Sequence, residues 1–228
     1  MMTVDEEKAQ FEKFMEEYVD DMLDEQEYDT IYQYGPLTDK YWSTNPRILI
    51  CNLEPYDERE GHVLVDMNLF REWIKAPTGR FAAKFASVLL KALTNESKLE
   101  DLNFSRINML DSLADIEKIA YLNFRVDSGV HSQADYRNIF TQVDAHKDYL
   151  RGYFIKLNPD IIVLGGKASC FLINRILNVH LEYNSAVMAD GKIFCSVRHF
   201  SRANYKDYIL RIKDILDVYQ NRQNRAAN

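Results

Sequence analysis

At 228 residues, with 46% hydrophobic and 28% charged residues, the chain has the make-up of a globular protein able to bury a sizeable core. Its net charge of -7 supplies no basic field, so a nucleic-acid ligand would need a local cationic patch. No apolar run approaches the roughly 20 residues that span a bilayer, and Cys51, Cys170 and Cys195 are too far apart for a zinc, iron–sulfur or disulfide pattern.

The opening MMTVDEEKAQ is acidic where a secretory leader is basic and then apolar, which predicts a cytoplasmic protein. Residues 4–26 then place Phe11, Phe14, Met15, Tyr18 and Met22 at helical spacing, an amphipathic helix with an acidic outer face. Residues 28–46 are irregular and Tyr-rich, broken by Pro36 and Pro46. Four short apolar runs follow at 47–51, 119–124, 160–165 and 192–197. Each is too short for a buried helix and rich in Ile, Val or aromatics, so each reads as a buried strand. Helical patterns occupy 78–93, 134–157, 167–177 and 202–220.

Alternating strands and helices predict an α/β fold: three layers, α/β/α, around a four-stranded, mainly parallel sheet. No repeat or linker divides the chain. One domain over 1–228 is expected, with 1–45 as a lead-in and 46–220 as the core. Ligands of such sheets sit at the carboxyl ends of the strands. The residues there are Asn52, Leu53, Glu54, Pro55 and Tyr56; Asn123, Phe124 and Arg125; Gly165, Gly166 and Lys167; and Arg198, His199, Phe200 and Ser201. A carboxylate, amides, cations, a histidine and an aromatic ring at one sheet edge make a site hypothesis. Lys167 after a Gly pair suggests a phosphate loop, but Ile161 stands where that pattern needs Gly and Ala168 where it needs Ser or Thr.

The order of these motifs resembles the uracil-DNA glycosylase superfamily. Its G-Q-D-P-Y motif is matched by N-L-E-P-Y at 52–56, its LG-x-x-A element by Leu164, Gly165 and Ala168, and its H-P-S loop by His199-Phe200-Ser201 with a helix after it. The resemblance covers about residues 45–218. It implies a base-flipping enzyme that hydrolyses the N-glycosidic bond of uracil, or a related damaged base, in DNA, with no cofactor, metal cluster or membrane partner. It places Glu54 as the carboxylate that orients water and His199 as the group that stabilises the leaving base. Asn123 reads the base edge and Tyr56 screens it, with Asn52 and Leu53 beside them. Phe70, Trp73 and Phe81 are candidate floors for the base. Lys167, Arg198, Ser201 and Arg202, with Lys206 nearby, are candidate DNA contacts. A carboxylate near the sugar and a neutral imidazole near the base suit a reaction that builds cation on one and anion on the other. Three positions depart from the family pattern: Asn52 replaces Gly, Glu54 replaces Asp and Phe200 replaces Pro. They leave open a catalytically inactive member that binds nucleic acid, a free base or a protein partner.

Overall fold

The computed structural model describes residues 2–24, 30–53, 61–94, 96, 99, 107–125, 136–202 and 205–226. Its centre is the run of apolar strands. β3 (Ile48–Asn52), β5 (Ile119–Asn123) and β6 (Ile161–Gly165) are buried at every residue, and β8 (Lys192–Val197) at all but its first. Strands covered on both faces need no polar alternation, which is why these segments read as unbroken apolar runs. They pair in parallel in the order β5-β3-β6-β8.

The four-stranded sheet expected from sequence is corrected to a mixed sheet of six. Antiparallel β2 (Gly35–Pro36) borders β5 and antiparallel β7 (Ala186–Ala189) borders β8. β2 is two residues long and β7 is partly exposed, so neither carries the apolar run that marks the inner strands. A separate parallel ribbon joins β1 (Thr30–Gln33) to β4 (Gly61–Leu64).

Helices cover both faces. Ile50 and Tyr121 are register partners and share a face, and Phe70 and Trp73 of α3 (Met67–Trp73) pack on Tyr121. α4 (Pro77–Leu93), α5 (Met109–Ile116) and α9 (Tyr205–Ala226) complete that layer. Cys51 points the other way, toward Tyr153 of α7 (Lys147–Leu157). α1 (Val4–Asp24), α2 (Lys40–Ser43), α6 (Tyr136–Ala145) and α8 (Lys167–Leu177) lie with α7. The helical pattern at 134–157 is thus two helices, α6 and α7, separated at His146, whose φ of -103 and ψ of 21 break the helix.

Local chemistry sets the helix ends. Asp66 caps α3 by accepting from the backbone N–H of Asn68 and Leu69, each at 2.9 Å. Pro77 opens α4. α7 and α8 end on Asn158 and Asn178 in the left-handed conformation that Asn tolerates. Among the described residues, no helix is long and apolar enough to cross a membrane. The three cysteines are buried and free.

The acidic N-terminal helix docks on the domain. Phe11 and Met15 enter the same core as the central strands. Phe11 meets Trp42 and Tyr153 at ring-centroid distances of 5.6 and 5.5 Å, and Phe14 stacks on Tyr149 at 5.1 Å. Gly152 admits that ring: a Cβ there would lie 2.9 Å from Phe14 Cε2. Truncating a buried Phe leaves a cavity as well as losing apolar burial. Phe11→Ala should therefore destabilise the whole domain by about 3–5 kcal/mol, measured as a lowered urea midpoint with one cooperative transition. A separate early transition confined to α1 would show that the helix is only appended.

Candidate functional site

The order of the parallel strands creates a crevice. From β3 the chain passes through α3, α4 and α5 to β5 on one side, then through α6 and α7 to β6 on the other. The first connection leaves β3 for β5 over one face and the second returns from β5 past β3 to β6 over the other, so the topology reverses between the carboxyl ends of β3 and β6, the place where doubly wound sheets bind ligands. Asn52 ends β3 and Gly165 ends β6. Asn52 and Asn123 are the last residues of their strands.

Asn52 and Asn123 are register partners on neighbouring strands, and both are only 2% exposed. The Asn52 amide Nδ2 donates to the Tyr121 hydroxyl at 2.7 Å, and Asn123 Nδ2 donates to the Tyr34 hydroxyl at 3.1 Å. Neither amide oxygen receives a hydrogen bond. Burial pushes the Tyr121 phenol well above its usual range, so it stays protonated beside Asn52. The sequence reading singled out neither Tyr34 nor Tyr121. Tyr121 lies two residues before Asn123 and so on the same face of β5, a periodicity that links the two. Tyr34 carries no such signal, because only tertiary packing brings it there.

The Gly pair after β6 has a steric role. A Cβ on Gly165 would lie 2.1 Å from Asn52 Oδ1 and 3.0 Å from the Phe200 ring. Gly166 has φ +99, a conformation that side chains disfavour, and a Cβ there would lie 3.4 Å from His199 Cδ2. The two glycines let Asn52 and His199 close on β6. His199 is half-buried. Burial, helped by the nearby Arg202 guanidinium, lowers its pKa below the ordinary value and favours the neutral ring. Phe200, the residue that departs from the H-P-S pattern, is fully buried against Phe85 and Tyr208, at 5.9 and 5.8 Å. The Tyr208 hydroxyl donates to the carbonyls of Arg198 and His199 at 3.4 Å and ties down the loop.

The remaining candidates separate into groups. Leu53 is buried, and its carbonyl accepts from Arg125 N at 2.8 Å, so β3 keeps its pairing with β5 up to the last residue before Glu54. Glu54 and Tyr56 lie outside the described residues, as does the side chain of Ser201. Phe70 is fully buried, edge-on to Tyr121 at 5.2 Å, and Trp73 lies half-buried 5.8 Å from the same ring. Phe81 packs edge-on against Tyr205 at 5.6 Å. Lys167, Arg198 and Arg202 are exposed, with Arg198 3.8 Å from Asp207. Among the described residues, no group of three or more His, Cys, Asp or Glu side chains could hold a metal ion. Comparison with known proteins finds no matching family model, and no curated protein matches the chain.

Two measurements test this geometry. Gly165→Ala should cost about 1–3 kcal/mol by overpacking against Asn52, and Asn52→Gly should recover much of that loss in the double variant. A double-variant cycle by urea unfolding reads the coupling; purely additive losses would show that the two residues do not touch. His199 should titrate below the ordinary value of about 6.5. The unfolded chain then binds a proton that the folded chain refuses, so stability declines as pH falls from about 6.5 to the lower folded value. His199→Gln should flatten that decline, and a slope equal to the wild type's would place the titration elsewhere.

Proposed function

We propose that the chain takes a nucleobase swung out of DNA into the carboxyl edge of its sheet and hydrolyses its N-glycosidic bond, as the resemblance to uracil-DNA glycosylases implies. The observation that carries this reading is the buried pair Asn52 and Asn123, register partners at the ends of β3 and β5 whose amide oxygens are both unpartnered. An amide held by a tyrosine hydroxyl keeps an acceptor for the edge of a uracil or a related base. Trp73 and Tyr121 supply aromatic surface near the amides, which suits a flat base removed from its stack. His199, favoured as the neutral ring, suits a donor to the departing base, because a neutral imidazole can hydrogen-bond the developing anion. Glu54 is assigned the water on the resemblance alone. Lys167, Arg198 and Arg202 supply exposed cations near the same edge, the local positive charge that DNA binding by an acidic chain requires.

A second reading has one observation in its favour. Asn52 stands where the family pattern has Gly and fills the space over Gly165. A base bound there without being cleaved would suit a member that has kept the pocket and lost the chemistry.

Base release separates the two readings. The full chain is incubated with oligonucleotides carrying uracil in single strand, opposite G and opposite A, and abasic sites are revealed by alkali. Hydrolysis should appear, and Glu54→Gln, His199→Ala and Asn123→Ala should each reduce it by roughly a hundredfold, the scale of one acid–base or donor group. No release from any duplex or single strand, with the protein folded, would leave the non-catalytic reading.

A further inference from the structure

A single exposed apolar side chain needs no explanation, whereas a contiguous exposed cluster marks a surface that meets a partner. One such cluster joins α6 to α8. The Phe140 ring lies 5.4 Å from that of Phe171 and 6.3 Å from that of Tyr136. The two outer rings stand half in solvent, Tyr136 at 52% and Phe171 at 51% exposure. The cluster also has a direction. One turn beyond the contact between Phe140 and Phe171, Asp144 meets Arg175 at 2.5 Å, and both contacts join residues 31 apart. The two helices therefore run parallel and in step. One turn back, the same step sets Tyr136 level with Lys167, the first residue of α8.

Lys167 is exposed and, unlike Arg175, has no ion pair among the described residues. It shares a face of α8 with Phe171, four residues on. It also follows Gly166, where a Cβ would lie 3.4 Å from the His199 ring. The ridge of rings thus begins beside the carboxyl edge, at its cationic end. Exposed rings with an unpaired ammonium fit a nucleic-acid strand, because bases of any sequence stack on aromatic faces and the ammonium meets phosphate. An apolar protein surface would use the rings but would cover the ammonium without a counterion.

We propose that Tyr136, Phe171 and Lys167 form a platform for the strand that carries the target base, the rings stacking its unpaired neighbours and Lys167 holding a phosphate between them. This rests on the nucleobase reading above and extends it from one base to the bases beside it. In a duplex the bases stack on one another and keep their faces from the rings, so the platform favours single strands.

The test is fluorescence anisotropy of the full chain with a labelled oligothymidylate and with a labelled duplex of the same length, at one fixed ionic strength. The single strand should bind at least about tenfold tighter than the duplex, the scale of one stacked base. Tyr136→Ala and Phe171→Ala lie at exposed positions and should keep the native circular dichroism. Each should weaken single-strand binding by about tenfold and leave duplex binding unchanged. Lys167→Gln should weaken both and make the salt dependence shallower. Single-strand affinity unchanged in both ring variants overturns the inference and leaves the nucleobase reading, which base release tests, intact. So does a native chain that binds duplex as tightly as single strand. Failure to bind either overturns both.

Discussion

The four parallel strands are buried on both faces, and this constrains everything polar in the molecule. Most neighbours within the sheet are Ile, Leu, Val, Ala, Phe or Cys, so a polar side chain finds a partner there only near a strand end, as Asn52 does with Tyr121. Polar chemistry is therefore pushed to the two edges where strands end. The amino edge is closed by mutual pairing. Asp160 accepts from the Arg47 backbone N–H and from Arg222, and Arg47 reaches Glu7 at 2.6 Å while its guanidinium lies 5.4 Å from the Trp42 ring. The carboxyl edge is left open in its bonding, with two amide oxygens bare.

That asymmetry has a physical logic. Groups that only support a fold gain by satisfying each other, since a lone buried acceptor costs stability. Groups at the carboxyl edge do not all do so, and on the proposed reading they hold that capacity for a ligand. The tyrosines 34 and 121 reconcile the two demands: each engages one end of an asparagine amide and leaves the other end unused. The Gly165–Gly166 pair serves the same edge sterically, since one glycine makes room for Asn52 and the other for His199.

The N-terminal segment belongs to this arrangement as well. Its acidic face is turned outward, while Phe11 and Met15 sit in the main core and Gly35, at the sheet margin, lies within contact distance of the Phe11 ring. The lead-in also delivers Tyr34, whose hydroxyl holds Asn123. Helix, edge strand and site are thus one packing problem.

Local pattern alone determined the inner strands, the docking face of α1, the starts of α4 and α8 within a residue, and the edge at which to look for chemistry. It could do so because these depend on apolar runs, helical periodicity and Gly or Pro punctuation, all of which are short-range. Tertiary structure alone decided the antiparallel margins, because a two-residue strand such as β2 has no periodicity of its own and exists only through pairing with β5. It split the pattern at 134–157 into two helices, because a break at His146 changes direction without changing apolar spacing. It also decided which amide ends are occupied. Asn52 and Asn123 were visible in the sequence as strand ends, but their partners Tyr121 and Tyr34 lie 69 and 89 residues away. Hydrogen bonds across such separations follow from how the strands assemble, and no local pattern encodes them.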